Sequence, residues 1–397
     1  MFFSAAFQRT SSNVEAGDLV DPVLVTQGRS EDDVEAEAYD KSKDDSSSDE
    51  EFDLVSSNYS CSADGEDDSD TDLDFDTEAW ARGCEPFDNT GLKDYVAECE
   101  RLGTVPVTYF LRHSREKTFS MKYHGLGPLG TKAIAKALEL NLVTEKIDLE
   151  GNNVEAEGAI CLANVLKDNY TVTELVLSEN LLRSDGAESI TTMLLENSAI
   201  QTLDLSGNCF RDCDGCYFQQ MLSQNTTLQK LSLKHNEFAE ETARGLCEAL
   251  AGNEYLKMLD LSWNHFMTTS ADYIADIIKD NYGLKYLNLA MNGLADEGAL
   301  LIGQALKQNL CLVDLNLSNN RITQEGAKDI ARCFDTNEVL ETLRLGQNPI
   351  GADGAAALLD AIHTHNNTTA LTLLDIMVSG KQYDLKVNNC RDLYIIL

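Results

Sequence analysis

Asn152, Asn180, Asn208, Asn236, Asn264, Asn292, Asn320 and Asn348 are spaced 28 residues apart, with no insertion or deletion between them. A frame kept over eight units constrains the fold more than any composition does, because only stacked copies of one structural unit preserve it. Apolar residues stand five and three positions before each asparagine, from Ile147 and Leu149 to Leu343 and Leu345, and another stands two positions after, from Val154 to Ile350. Such alternation over a few residues predicts a short strand with one buried face. The asparagine then suits the turn away from the sheet, where its side chain satisfies backbone groups that burial would orphan. Next comes a stretch such as "GAICLANVLKDN", with Leu162, Val165 and Leu166 at helical spacing on one face. A second asparagine column, Asn169 to Asn337, is expected in the left-handed position that ends each helix. One unit cannot bury its own apolar face, whereas stacked units make a continuous core. The predicted fold is an α/β solenoid.

This frame decides how two local motifs are read. Gly125, Gly127 and Gly130 form a GxGxxG with Asp148 and Glu150 downstream, the spacing of a dinucleotide site. Yet Phe119, Met121, Leu126 and Gly130 fall on repeat columns, with His124 in place of the asparagine, so "HGLGPLG" is the first repeat. Every strand is followed by the same helix, which leaves no topological switch point for a cofactor. Cys209, Cys213 and Cys216 have CxxxCxxC spacing, but they too lie inside one repeat and lack an evident fourth ligand. No catalytic residue, cofactor or metal is expected.

The pattern LxLxxNx(L/I/F)…GA…LA…L…N…L resembles the ribonuclease-inhibitor type of leucine-rich repeat. That resemblance implies a horseshoe with parallel strands on the concave face and helices on the convex face. The segments "YVAECERLGTVPVTYFLR", "HGLGPLGTKAIA" and "LTLLDIMVS" are similar to those of the leucine-rich repeat-containing protein 74 group, over about residues 92 to 380. The group implies a non-enzymatic protein-protein interaction scaffold. An alternative is a regulator of a small GTPase, since Ran GTPase-activating proteins use the same repeat type. Those proteins carry their acidic tract after the repeats, and this chain has it before them.

Composition separates the regions. The chain has 397 residues and a formal net charge of −36, which repels phosphate backbones and anionic lipid surfaces. A protein partner is therefore expected, and neither nucleic acid nor membrane insertion. No apolar run approaches membrane-spanning length, "MFFSAAF" lacks the basic flank of a signal peptide, and the eleven cysteines are irregularly spaced. Reduced thiols and a cytoplasmic protein, monomeric when alone, are the expectation. Residues 1–80 hold 24 acidic against four basic residues and no apolar period, so they are expected to be disordered. Within them Ser46, Ser47, Ser48 and Ser69 each have an acidic residue three positions on, which resembles the site of an acidophilic casein kinase. Residues 81–117 are expected to form a helical cap, with Leu92, Tyr95, Val96, Cys99 and Leu102 on one helix face and Gly103 ending it. Residues 118–369 then hold nine repeats, and 370–397 a final strand and cap in which Ile395 and Leu397 are expected to cover the last edge, the alternative being a C-terminal ligand that a PDZ domain takes up by strand addition.

Specificity in such a fold belongs to the variable strand positions that face outward. Reading positions 1, 3, 5 and 6 of each unit gives an acidic group (Asp148, Glu150, Glu174, Glu179, Asp204), then a basic stripe of Lys230, Lys234 and His235. Beyond it come Met258, Trp263, Tyr286 and Met291. Large aromatic and thioether side chains held toward solvent are the expected partner-binding anchors, with Trp263 at their centre.

Overall fold

The structure is a computed structural model that describes residues 88–365, 369–378 and 381–386. Ser46, Ser47, Ser48 and Ser69, and Ile395 and Leu397, lie outside the described residues. The described chain opens with helices α1 (Leu92–Leu102) and α2 (Thr108–His113). Tyr95 and Cys99 are buried on the inner face of α1, and Gly103, left-handed at φ 69°, ends the helix.

Nine strand–helix units come next. They begin with β1 (Thr118–Ser120) and α3 (Gly127–Leu138), β2 (Lys146–Asp148) and α4 (Glu155–Leu166), and β3 (Glu174–Val176) and α5 (Arg183–Glu196). The central units are β4 (Thr202–Asp204) and α6 (Gly215–Gln224), β5 (Lys230–Ser232) and α7 (Glu240–Leu250), and β6 (Met258–Asp260) and α8 (Ala271–Asp280). The last are β7 (Tyr286–Asn288) and α9 (Ala295–Leu306), β8 (Asp314–Asn316) and α10 (Gln324–Ala331), and β9 (Thr342–Arg344) and α11 (Gly351–Thr364). Strands β10 (Leu373–Val378) and β11 (Lys381–Lys386) close the series. The sheet runs in chain order, parallel from β1 to β10, with β11 antiparallel to β10. Each residue pairs with its counterpart one period away, as Ile147 with Leu175 and Leu259 with Leu287, so the sequence frame is the sheet register. Neighbouring strands need only about 4.8 Å while helices need about 10 Å, which makes the strand side the inner, concave one.

The core lies between the two layers. The strand leucines and the column from Val154 to Ile350 are buried throughout, and Phe210, Phe218 and Phe238 pack ring against ring where that column turns aromatic. Two asparagine ladders flank this core. In the first, Asn180 Nδ2 donates to the Leu149 carbonyl of the preceding unit at 2.9 Å and to Ser178 at 3.0 Å, while its Oδ1 accepts the Asn152 N–H at 2.9 Å. The middle units differ. There the Oδ1 atoms of Asn264 and Asn292 accept from Phe238 and Phe266 at 3.1 Å, and the Glu237, His265 and Gly293 N–H groups donate back to Phe210, Phe238 and Phe266 at 2.8 Å.

The second ladder corrects an expectation. Asn197, Asn225 and Asn281 are extended, at φ −72°, −73° and −88°, where the sequence predicts a left-handed helix end. Each donates its amide to the last carbonyls of the preceding helix, Leu166 at 2.6 Å, Leu194 at 2.7 Å and Leu250 at 2.6 Å. Their Oδ1 atoms accept the N–H groups two or three residues on. The side chain satisfies helix-end carbonyls that a left-handed turn otherwise serves, so the backbone is free to run straight toward the next strand. Asn141 begins this ladder and ties in the cap, donating to the Thr90 carbonyl at 3.2 Å.

Candidate functional site

The residue before each ladder asparagine, and Tyr123 before His124 in the first unit, is held left-handed. Tyr123, Gly151, Glu179, Gly207, His235, Trp263, Met291, Asn319 and Gln347 all have φ between 54° and 68°. This turn brings the asparagine side chain back under the strand, and it makes the preceding side chain project from the rim of the concave face. Glycine adopts that conformation freely and occupies it twice, while bulky residues do so at a cost. The two glycines have a use. A Cβ on Gly151 would stand 2.2 Å from the Tyr123 ring, and one on Gly207 would stand 2.1 Å from Glu179 Oε1. Each neighbour thus lies across a glycine to the next unit.

The Glu179 carboxylate crosses Gly207 to reach His235, with Oε1 3.3 Å from Nδ1. The His235 ring meets the Trp263 indole edge to face, centroids 6.1 Å apart. Trp263 nevertheless remains 49% exposed, and Met291 beyond it is half-buried. Below this ridge lies an open cleft of about 580 Å³ whose lining includes Glu179, Asp204, Ser232, Lys234, Asp260 and Trp263. At the other end of the same strands Met258 and Tyr286 are register partners, 41% and 47% exposed, beside a smaller hollow of about 220 Å³.

Charge is distributed unevenly over this face. Lys122 pairs with Asp148 at 3.3 Å and with Glu150 at 2.6 Å, Lys146 with Glu174, and Arg344 with Asp314. The hydrogen bond from Lys122, then that from Tyr123, holds the Glu150 carboxyl below its ordinary range. Lys230 and Lys234 are exposed and have no ion-pair partner among the described residues. Among the described residues, only His235 of the basic stripe has a direct acidic contact, to Glu179, although carboxylates of Glu179, Asp204 and Asp260 line the same cleft as Lys234.

The acidic group is less available than the alternation of strand positions implies. Asp148 is buried, and Asp204 folds back on its own turn, accepting the Ser206 N–H at 2.9 Å. Position 5 is buried at Ser178, Ser262 and Ala290 and half-buried at Ser206 and Ser318. Gly125 and Gly127 are left-handed too, at φ 64° and 61°, so their columns favour glycine more than Asn153 or Cys209 in the same columns suggests. Cys209, Cys213 and Cys216 are exposed free thiols, and no group of three metal-ligating side chains occurs among the described residues. Sequence reasoning missed the Glu179–His235 contact and the left-handed column. The signal for both was present, since Gly151 and Gly207 stand in one column with large residues on either side.

Short parallel strands, one helix per strand and a buried asparagine at eight of the nine turns, with His124 at the first, define a leucine-rich repeat solenoid. The family described as "Leucine Rich repeat" matches residues 145–163, 224–247, 284–303, 308–331 and 336–359. Among solved structures the chain is similar to "Leiomodin-1 Actin-Binding Site 2 (ABS2)", at 19% identity and a TM-score of 0.32, covering 36% of this chain and 84% of that one. It is also similar to the tropomodulin C-terminal domain of Caenorhabditis elegans, at 17% identity and a TM-score of 0.34, covering 39% of this chain and 94% of that one. No helix among the described residues is long and apolar enough to cross a membrane.

Proposed function

We propose that this chain is a non-enzymatic binding protein of the leucine-rich repeat-containing protein 74 group, which takes a cytoplasmic protein partner on its concave face. Trp263 is the principal anchor, with His235 and Met291 beside it. Met258 and Tyr286 form a second apolar contact, and Lys230 and Lys234 supply positive charge on the adjoining β5 unit.

The observation that carries this reading is the conformation of Trp263. An indole held at φ 56° and half-exposed lies where glycine fits best, yet it fills no core column. A strained, outward aromatic on a rigid sheet supplies contact area at low entropic cost on binding, and such residues dominate interface energies. The backbone around it is fixed by the ladder, so the anchor is pre-organised.

The test is affinity capture with the intact chain and with Trp263→Ala. A central tryptophan contributes about 2 kcal/mol or more, so affinity for the retained partner is expected to fall at least about thirtyfold. Unchanged affinity for every partner sinks the proposal.

A further inference from the structure

Of the eight cysteines described, Cys99, Cys311 and Cys333 are buried, while the three exposed ones all fall between residues 209 and 216. Burial pushes the Cys333 thiol up to about 12, which makes it inert at neutral pH. The exposed three occupy the turn from β4 into α6. Arg211 is extended there, at φ −98° and ψ 167°, and separates Cys209 from the helical turn beyond it. The chain then tightens into a single 3-10 turn, Asp212–Asp214, and enters α6 at Gly215. Cys213 and Cys216 thus sit three residues apart on one continuous helical turn, and Cys209 does not. The Cys216 thiol folds back over this turn and donates to the Cys213 carbonyl at 3.2 Å.

We propose that Cys213 and Cys216 form a reversible dithiol–disulfide couple. Side chains three apart on a helical turn have Cβ atoms about 5–6 Å apart, and a disulfide needs about 3.5–4.5 Å, so a small inward shift closes the bond. The turn is already held in shape by its neighbours. The Asp212 carboxylate accepts from Ala239 at 2.8 Å and Thr242 at 2.9 Å, and a Cβ on Gly215 would stand 2.3 Å from Thr242 Oγ1. The two thiols are therefore presented together on one surface turn that is anchored at Asp212 and Gly215.

The roles of the two sulfurs differ. The Cys213 thiol donates to the adjacent Asp214 carboxylate at 3.6 Å, and desolvation and then that negative charge disfavour its thiolate, which assigns the attack to Cys216. With a small disulfide such as oxidised glutathione as the oxidant, the Cys216 thiolate attacks one of its sulfurs. The glutathione S–S bond breaks, and the released thiolate takes up the proton that Cys216 gave. Cys213 then loses its proton and displaces the second glutathione. Two protein S–H bonds are oxidised to one S–S bond, and one glutathione disulfide is reduced to two thiols.

The experiment equilibrates the full chain with glutathione redox buffers, blocks remaining thiols by alkylation and maps the peptides by mass spectrometry. The expected result is a Cys213–Cys216 cross-link, reversed by reductant and unchanged in Cys209→Ser. In Cys213→Ser the cross-link is lost and a mixed glutathione disulfide remains on Cys216. Both thiols staying free in the most oxidising buffer overturns the proposal. So does a cross-link that runs to Cys209 instead.

Discussion

At the scale of single residues, the left-handed column separates what folding wants from what binding wants. Folding wants glycine before each ladder asparagine, and the chain supplies it at Gly151 and Gly207. At Trp263 the same φ is imposed on an indole. Trp263→Gly is therefore expected to be more stable than Trp263→Ala by about 1 kcal/mol, because alanine keeps the Cβ that crowds the following carbonyl and glycine does not. Thermal or denaturant unfolding of the two variants measures this, and the opposite order would show that the residue is not held at positive φ. The asparagine frame was legible in the sequence because one side chain serves two neighbouring units, so every unit must repeat it. The left-handed column was harder to read, since Glu179, His235, Trp263 and Met291 have no chemistry in common. What they share is backbone shape, and only the interspersed glycines report it.

At the scale of elements, helices borrow their caps from the preceding unit. Helix α7 has Ala239 at its N-cap, which offers no side-chain acceptor. Asp212, one unit earlier, accepts the Ala239, Glu241 and Thr242 N–H groups at 2.8, 3.0 and 2.9 Å. Asp296 does the same for α10, accepting from Thr323 at 2.7 Å and Gly326 at 3.1 Å. Removing such a cap costs about 0.5–2 kcal/mol, so Asp212→Ala is expected to lower the melting temperature where the carboxylate is charged. Burial alone works to raise the Asp212 carboxyl, but the hydrogen bonds from Thr242, Ala239 and Glu241 outweigh it and hold the group below its ordinary 3.8. A depressed carboxyl stabilises the fold above its unfolded value and loses that contribution as pH falls through the folded one. The gap in melting temperature between wild type and Asp212→Ala should therefore be constant above pH 3.8 and shrink below it. A gap that does not change with acid would mean that the cap is not electrostatic. Strands and helices were legible from their apolar columns, whereas these caps were not. Their partners stand 27 to 30 residues away, and the only trace is that Asp212 and Asp296 fall in the same column.

At the scale of the whole repeat array, register turns separate residues into one surface. Trp263 and Met258 lie five residues apart on β6 and the turn after it, about 16 Å along an extended chain, and Tyr286 is Met258's partner on β7. The His235–Trp263–Met291 ridge and the Met258–Tyr286 pair thus bound one patch, with Lys230 and Lys234 on the adjoining β5 unit. A stable interface buries about 800 Å² per partner, more than three strands about 4.8 Å apart and about 16 Å long present, so one partner covering this patch reaches onto the neighbouring units as well. One partner spanning the patch has a specific energetic signature. Trp263→Ala and Tyr286→Ala should each weaken the same partner, and because the two side chains stand farther apart than about 7–10 Å their losses should add in the double variant. Binding measured for wild type, both single variants and the double variant decides this. If Tyr286→Ala releases one captured protein and Trp263→Ala another, the face holds two separate sites, one at each end of these strands.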